Sequence, residues 1–303
     1  MDKDGKWKDQ MDSQQDPYKH THPEWPLERM ARTLKKNLKF EGEAIAISFR
    51  MEPPHGTEPY SGDLKLVHCQ FMQRARHNGE TFILDVDHID DICAGYSYIG
   101  MAEPPEDLAT GYSWSRRKDG NPGIYGSPVA ARRVKESQRH GGITPGTVKY
   151  MCCAPLSDCP FDPDVVIVIA NPKTCTYAVR AAIHYKGGVV NGTTGPGACS
   201  ASWIPAYLSG EISYTLGCRG VFGLMGVDPT EICLSIPIEM MPEICRNLEE
   251  MNAHEFSFLY PLYGEGPPNK EADWMKAPFE GPYRNKPFED HKPVKKSGPQ
   301  GDS

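Results

Sequence analysis

Apolar positions along the chain follow two periods, one typical of helices and one typical of buried strands. Residues 26–39 place Leu27, Leu34 and Leu38 on one face of a helix. Residues 165–170 read VVIVIA, an unbroken apolar run with the length of a buried strand. Because helical and extended segments of this kind alternate through the middle of the chain, the pattern predicts an α/β domain.

The same patterns, applied to the whole chain, predict seven strands and seven helices. The strands are expected at residues 44–49, 81–86, 147–152, 165–170, 189–190, 212–216 and 231–236. The helices are expected at residues 26–39, 64–77, 92–101, 129–138, 174–185, 199–208 and 238–251. Residues 111–126, rich in serine, arginine and glycine, are expected to form an irregular loop.

The two ends of the chain differ in composition from the middle. Residues 1–25 form a polar N-terminal extension, and residues 265–303 are rich in proline, glycine and charge. We therefore expect one globular α/β domain at residues 26–264, with a mixed α+β arrangement as the alternative. Aromatic side chains recur in the C-terminal tail, and we expect them to pack on the domain or on a neighbouring subunit: Trp274, Phe279, Tyr283 and Phe288.

The two halves of the domain resemble each other weakly. In each half a strand, a helix and a second strand precede a cysteine that opens a helix of small residues. The equivalent cysteines in this interpretation are Cys93, in DICAGYSYIG, and Cys199, in GACSASWIPAYLSG. A degenerate duplication of an α/β unit and a chance similarity explain this pattern equally well.

Charge and hydropathy exclude several classes of protein. The formal net charge is −7, whereas nucleic-acid-binding proteins usually present a basic face. No apolar run approaches the roughly 20 residues that a membrane-spanning helix needs. The N-terminus lacks the apolar stretch of a secretory signal. We therefore expect a cytoplasmic protein that binds neither nucleic acid nor membrane.

Ten cysteines are the residues that most need an explanation in a cytoplasmic chain. Cys69, Cys93, Cys199 and Cys218 each lie where an apolar segment meets a turn of small residues, and none belongs to a Cys-x-x-Cys pair. Thiolates delivered from four separate turns could converge on one metal or iron–sulfur cluster, most simply a 4Fe-4S cluster. The alternative is that they are ordinary core residues, since free cysteine is often buried.

A glycine-rich loop, Gly187–Ala198, leads into the helix that carries Cys199. Backbone N–H groups of such a loop could bind an anionic group or line a cluster, with Gly192, Gly195 and Gly197 as the candidate residues. Arg219 follows Cys218 directly and would add positive charge. A plain connecting loop is the alternative, because the glycine spacing matches neither a P-loop nor a dinucleotide fingerprint.

Two further groups of residues are weaker candidates for chemistry. Cys152, Cys153 and Cys159 are closely spaced and could ligate a metal, although their spacing matches no common zinc or ferredoxin pattern. A second group surrounds Cys69 and could bind a carboxylate, although a solvated helix face explains it as well. Its members are His68, Arg74, Arg76 and His77.

Five segments resemble the family catalogued as domain of unknown function 169. They are LVHCQFMQRARHNGETFIL, DICAGYSYIGM, VVIVIANP, GACSASWIPAYLSGEISYTLGCRG and EICLSIPIEMMPEI, between residues 27 and 252. The resemblance implies that Cys69, Cys93, Cys199 and Cys218 match cysteines of similar sequences. It also implies an anaerobic prokaryotic setting, which suits an oxygen-sensitive cluster. It implies no reaction, because the activity of the family is not established.

The sequence therefore predicts an iron–sulfur or other metal-cluster enzyme of the lyase or redox type, acting on a small anionic metabolite in anaerobic metabolism. One alternative is an accessory subunit that delivers electrons, metal or cofactor to a partner enzyme. The other is a metal-free protein that binds a small ligand. We expect the chain to act as a homo-oligomer or as a subunit of a metabolic complex.

Overall fold

A computed structural model describes residues 24–93, 95–115, 123–139, 142–195 and 197–253. Contacts along the chain separate a unit that ends at Glu250 from a second unit that begins at Met251. The first unit contains the sheet and the candidate site. The C-terminal tail and nearly all of the N-terminal extension lie outside the described residues, so the packing of the tail stays a prediction.

One six-stranded sheet forms the centre of the first unit. Its strands lie in the order β2-β3-β1-β4-β6-β5, and every neighbouring pair is antiparallel. The prediction of a mixed α/β domain is confirmed. The strands are β1 (Ile45–Arg50), β2 (Phe82–Leu84), β3 (Tyr150–Pro155), β4 (Val165–Ala170), β5 (Ser213–Thr215) and β6 (Ile232–Pro237).

Ten α-helices occur in the described residues, and several of them are only one turn long. They are α1 (Leu27–Leu38), α2 (His68–Asn78), α3 (Gly95–Tyr98), α4 (Glu106–Ala109), α5 (Tyr112–Ser115), α6 (Pro128–Arg139), α7 (Pro172–Ala182), α8 (Ile204–Ser209), α9 (Arg219–Gly223) and α10 (Met241–Ala253). A π-helix, Cys199–Trp203, runs directly into α8, and short 3-10 helices span Val86–His88, Leu156–Asp158 and Ile238–Met240.

Several predicted elements differ from those observed. The helix predicted at 92–101 contains only α3 (Gly95–Tyr98), and the loop predicted at 111–126 contains α5 (Tyr112–Ser115). The strand predicted at 147–152 begins only at Tyr150, because residues 144–147 form a turn in which the Thr147 N–H donates to the Thr144 carbonyl. The helix predicted at 64–77 begins at His68, since Leu66 is still extended and pairs with Ile89.

The short strand predicted near 189–190 is absent from the described residues. Gly187 and Gly188 both have positive φ, a conformation that favours glycine and turns the chain away from the sheet. Val189 consequently lies in a loop with 82% of its surface exposed.

Both faces of the sheet are covered, which explains why its central strands are apolar without alternation. One face of β1, with Ile45, Ile47 and Phe49, belongs to the core cluster that also contains Cys69 and Cys199. Helix α7 packs against β4 and β6, and α10 joins it through a hydrogen bond from the Asn247 side chain to the Ala181 carbonyl.

The sheet repeats one strand arrangement twice, around an approximate two-fold axis. The order β1-β3-β2 in the first half matches β4-β6-β5 in the second half. The register matches as well, because the first residue of β1 pairs with Pro155 and the first residue of β4 pairs with Pro237. The two halves meet where Ala46 of β1 pairs with Val166 of β4.

Backbone hydrogen bonds at the strand ends obey the same symmetry. The Leu156 N–H, just after β3, donates to the carbonyl of Ala44, just before β1. The Ile238 N–H, just after β6, donates to the carbonyl of Asp164, just before β4. The architecture therefore favours duplication over chance similarity of the two halves.

The described helices include none with both the length and the apolar character needed to cross a membrane.

Arg76 is the buried cation that ties α2 to the sheet. Its Nη2 lies 2.7 Å from Glu231 Oε1 and also donates to the Ile169 carbonyl, while only 3% of its side chain is exposed. Arg74, on the same helix, forms a 2.7 Å ion pair with Glu80 in which both side chains are about one-third exposed.

We expect Arg76→Met to lower the free energy of unfolding by about 3–5 kcal/mol, because it leaves the Glu231 carboxylate unpaired near the core. Arg74→Met, the matched control, should cost no more than about 1 kcal/mol. Urea unfolding followed by circular dichroism measures both effects. An equal decrease in the free energy of unfolding in both variants would contradict a special role of Arg76 in holding α2 against the sheet.

Candidate metal centre

The structure brings the four predicted cysteines together on one face of the sheet. A Cβ atom built on Gly220 would stand 3.6 Å from Cys218 Sγ, 3.7 Å from Cys69 Sγ and 3.9 Å from Cys93 Sγ. Cys199 completes the group, because its thiol interacts electrostatically with those of Cys93 and Cys218. These four side chains are called the thiol cluster below.

Each thiol of the cluster is delivered by the start of a short helical segment. Cys69 is the second residue of α2, Cys199 begins the π-helix, and Cys218 is the N-cap of α9. Cys93 lies two residues before the first residue of α3. Helix starts offer unpaired backbone N–H groups, which stabilise a thiolate.

Backbone donors reach all four sulfur atoms, and the donor to Cys69 is its own N–H. The Val221 N–H donates to Cys218 Sγ at 3.4 Å. Backbone N–H groups also donate to Cys93, from Gly95, and to Cys199, from Ser200. Hydrogen bonds of this kind favour the ionised form of a thiol and are typical of cysteines that bind metal.

The duplication relates the four cysteines in pairs. Cys69 and Cys199 each begin the helical segment that ends in a left-handed glycine, Gly79 or Gly210, just before an edge strand. Cys69 lies ten positions before its glycine and Cys199 eleven. The π-helix accommodates the additional residue, since it has one more residue in each hydrogen-bonded turn.

Cys93 and Cys218 form the second pair, because each follows an edge strand and precedes a short helix. The predicted equivalence of Cys93 with Cys199 is therefore wrong, although both cysteines belong to the cluster. The one-residue difference at the π-helix and the different loop lengths obscure the true relation in the sequence. Each half of the domain contributes two thiols to a four-thiol set.

Burial makes the thiol cluster costly to ionise. It raises the pKa of Cys93 to about 11, and it raises the pKa values of Cys69 and Cys199 well above the ordinary range. Neighbouring thiolates raise all three pKa values further. A positively charged group among the thiols would remove this penalty, and its binding would displace protons.

Three residues around the cluster carry buried polar atoms without a hydrogen-bond partner: Nδ1 of His68, the hydroxyl of Tyr98 and Nε1 of Trp203. His68 Nε2 lies 3.7 Å from Cys69 Sγ, and the His68 ring contacts the Trp203 ring edge-on at 5.4 Å. The Tyr98 hydroxyl interacts electrostatically with Cys199 and Cys93.

The phenol and indole groups are hydrogen-bond donors, and the neutral imidazole also carries one N–H. Burial lowers the pKa of His68 to about 4, so its ring is neutral at physiological pH. Buried donors are normally satisfied. An acceptor-rich group among them, such as an iron–sulfur cluster with its sulfur atoms, would give these donors partners.

A single metal ion and a multi-iron cluster require different spacings of their thiolate ligands. Within the residues that the structure describes, no three His, Cys, Asp or Glu side chains are arranged to hold a single ion. A structural zinc ion keeps each thiolate at ~2.3 Å. An iron–sulfur cluster can bind each thiolate through a different iron, so its thiolates spread over a larger space.

The predicted glycine loop lies mostly at the surface. Gly192 is exposed and pairs with Tyr214, and a side chain there would overlap the tyrosine ring. Gly197 is buried, and its carbonyl accepts hydrogen bonds from Ser200 Oγ and the Ala201 N–H. These contacts give the two glycines structural roles.

Gly195 is half-buried and Arg219 is exposed. Arg219 is the first residue of α9 and follows the N-cap Cys218 directly. The binding of a cofactor by Gly192, Gly195, Gly197 and Arg219 stays a prediction.

The weaker cysteine candidates do not form a comparable set. Cys152 and Cys153 are successive residues of β3, so their side chains point to opposite faces of the sheet. Cys159 Sγ instead donates to the Phe161 carbonyl at 3.1 Å. Burial raises the pKa of each of these thiols, as expected for cysteines that serve as core residues.

The two arginines near Cys69 have structural partners rather than forming an open anion site. Arg74 pairs with Glu80, and Arg76 pairs with Glu231. His68 is buried against Gly95, which leaves no room for a side chain beside the imidazole.

Comparisons with known proteins agree with the resemblance noted in the sequence. The model of the family domain of unknown function 169, described as "Uncharacterised ArCR", matches residues 33–247. The chain belongs to this family. All four cysteines of the thiol cluster lie within the segment that matches the family.

A relative of this family member occurs in Methanocaldococcus jannaschii, where it is named as an uncharacterised protein. The two chains are 26% identical over 226 residues, which cover 72% of this chain and 92% of the relative. No solved structure matches this chain.

Sequence patterns missed the residues that surround the thiols. Tyr98 and Trp203 were expected only as members of short helices, and nothing in their spacing indicates unpartnered polar atoms. Lys135 lies in α6 among exposed charges, yet it is buried. Its burial depends on Trp114, which belongs to another helix and has its ring centre 4.6 Å from the Lys135 Nζ.

Gly220 provides a direct test of the space between the thiols. We expect Gly220→Ala to lower the iron content of protein purified without oxygen, because its methyl group occupies the space that three sulfur atoms surround. The same change should leave metal-free protein equally stable or more stable, by up to about 1 kcal/mol, since alanine favours a helix. Iron analysis and chemical unfolding of metal-free protein measure the two effects.

Gly223→Ala is the matched control, because it lies in the same helix and a Cβ there meets nothing within 4 Å. It should retain the parental iron content. Equal iron content in both variants would show that the space beside Gly220 holds no metal group.

Proposed function

We propose that this protein is an iron–sulfur redox protein in which Cys69, Cys93, Cys199 and Cys218 hold a 4Fe-4S cluster. The observation that carries the proposal is the convergence of four free thiols around one point, next to buried donors that lack partners. Soft thiolate ligands select iron–sulfur clusters, zinc or copper(I), and not the hard cations magnesium and calcium.

The unpartnered donors favour an iron–sulfur cluster over zinc. A zinc ion bound by four thiolates adds no acceptor of its own, whereas a cluster brings inorganic sulfides. Hydrogen bonds to these sulfides are among the factors by which a protein adjusts the reduction potential of a cluster. Tyr98, Trp203 and His68 are the residues suited to this role.

The complete set of four thiolates favours redox chemistry over Lewis-acid catalysis. A lyase of the metal-dependent type needs an open coordination position for its substrate. Four protein ligands on four irons leave no such position. Electron transfer needs none, so a redox function is the simpler use of this ligand set.

The exposure of the cluster agrees with electron exchange. Cys69 and Cys199 are buried, whereas Cys93 and Cys218 are half-buried, so one side of the site approaches the surface. An electron donor or acceptor can reach a cluster from that side. The buried side is enclosed by Trp203 and His68, which exclude water.

A reducing cytoplasm is the compartment that suits this chemistry. All ten cysteines are free thiols, and extracellular conditions tend to convert such residues to disulfides. Low-oxygen metabolism provides the conditions under which an accessible cluster persists.

Anaerobic purification followed by iron and sulfide analysis tests the proposal. We expect about four iron and four acid-labile sulfide atoms per chain, with a visible absorption band that bleaches on reduction. Single changes Cys69→Ser and Cys218→Ser should each lose most of the iron. Cys245→Ser is the matched control, because Cys245 is equally buried but has its Sγ 3.9 Å from the Met30 carbonyl in α1.

Other results would favour a different function. Zinc without sulfide would indicate a structural zinc site. A colourless, metal-free protein after reconstitution with iron and sulfide would contradict the cluster and favour a metal-free ligand-binding protein. Circular dichroism of the serine variants without iron would separate loss of a ligand from loss of the fold.

A further inference from the structure

A cavity of about 290 Å³ lies beside the thiol cluster. The described residues of its lining come from the segment between β2 and β3, and they include apolar and polar side chains. The residues are Ser97, Tyr98, Pro104, Ala109, Thr110, Arg132, Lys135, Glu136 and Pro145. Its volume falls just below the ~300–1,000 Å³ typical of small-molecule pockets.

Lys135 is a buried charged residue in the cavity wall. It is 6% exposed, and its Nζ lies over the Trp114 ring at 4.6 Å. Among the described residues Lys135 forms no close ion pair, although Asp107 and Cys93 interact with it electrostatically, whereas Arg132 is paired with Glu136 at 2.8 Å. Burying a charge is costly unless it is closely paired, so the ammonium of Lys135 is suited to a ligand anion.

Tyr98 adds a hydrogen-bond donor to the same wall. Its hydroxyl is buried without a partner, and its side chain lines the cavity. The electrostatic interactions of Tyr98 with Cys199 and Cys93, and of Lys135 with Cys93, show that this wall adjoins the thiol cluster. The cavity and the cluster are therefore neighbours.

We propose that this cavity is a substrate site for a small carboxylate anion, with Lys135 as the ion-pair partner and Tyr98 as a hydrogen-bond donor. The position of the site next to a redox centre rests on the function proposed above. The carboxylate lies against Lys135, and its carbon chain lies against Pro104, Ala109 and Pro145.

The charges of the cavity favour a carboxylate over a phosphate. One buried ammonium matches one negative charge, and the guanidinium of Arg132 is already paired with Glu136. A phosphate monoester carries about −1.5 to −2 charge at neutral pH and usually needs more donors. The Glu136 carboxylate in the wall would also repel a dianion.

Calorimetric titration of anaerobically purified protein with propionate tests the proposal. Propionamide serves as the neutral probe of the same shape, and inorganic phosphate serves as the competing anion. We expect propionate to bind, and propionamide and phosphate to bind at least about tenfold more weakly, as for one charge-assisted hydrogen bond.

Variants of Lys135 and Tyr98 test whether these two residues bind propionate. Lys135→Met keeps the apolar stem of the side chain and should weaken propionate binding at least about tenfold. Tyr98→Phe should weaken it by a smaller factor. Lys149→Met is the matched control, because Lys149 also stands over an aromatic ring, that of Tyr150 at 5.2 Å, but does not line the cavity. It should bind propionate as the parent does.

The outcomes separate this proposal from the proposed cluster. Protein that contains iron and sulfide, but does not bind propionate or binds it equally well after Lys135→Met, overturns the carboxylate site and leaves the cluster. Protein without a cluster that still binds propionate through Lys135 supports the site and overturns the redox function. Tighter binding of phosphate than of propionate overturns the assignment of a carboxylate. A change in the electron paramagnetic resonance signal of the reduced cluster on adding propionate supports both proposals.

Discussion

The cost of burying four thiols at one point is the constraint on which the rest of the structure depends. A buried thiolate loses its hydration, and each neighbouring thiolate adds repulsion. The protein limits this cost because four helical segments begin at the site, so that backbone N–H groups face Cys93, Cys199 and Cys218. These groups are too weak to offset full burial, since the pKa of Cys93 still lies near 11. Cationic iron would supply the remaining stabilisation.

The two-fold arrangement of the sheet explains why no Cys-x-x-Cys pair is needed. Each half supplies one cysteine from the helix before its edge strand and one from the turn after it. The contact of β1 with β4 at the centre of the sheet places the two halves side by side. A single half would offer only two thiols. The duplication thus converts a two-thiol unit into a four-thiol set, and the spacing of the cysteines along the chain follows from the strands between them.

The sequence predicted those features that depend on local pattern. Helix α1 and strand β4 were found because their apolar periods are clear, and the four cysteines were singled out because each stands at a joint between elements. The antiparallel strand order was not predicted, since it depends on pairing between distant segments. The equivalence of Cys69 and Cys199 in the two halves was not predicted, because the π-helix adds one residue to the second half. Lys135 was missed because its burial depends on a ring from another helix.

The two halves differ in the segment that joins the edge strand to the next strand. In the second half, residues 216–231 contain little more than α9. In the first half, residues 85–149 contain α3 to α6 and supply the described residues of the cavity wall. The symmetric part of the fold therefore provides the thiols, and the asymmetric part provides a cavity beside them. Under the proposed function, the repeated unit would bind the redox centre and the insertion would recognise a ligand. The insertion also explains why Lys135 has no counterpart in the second half: the segment that carries it occurs there only as a short turn and α9.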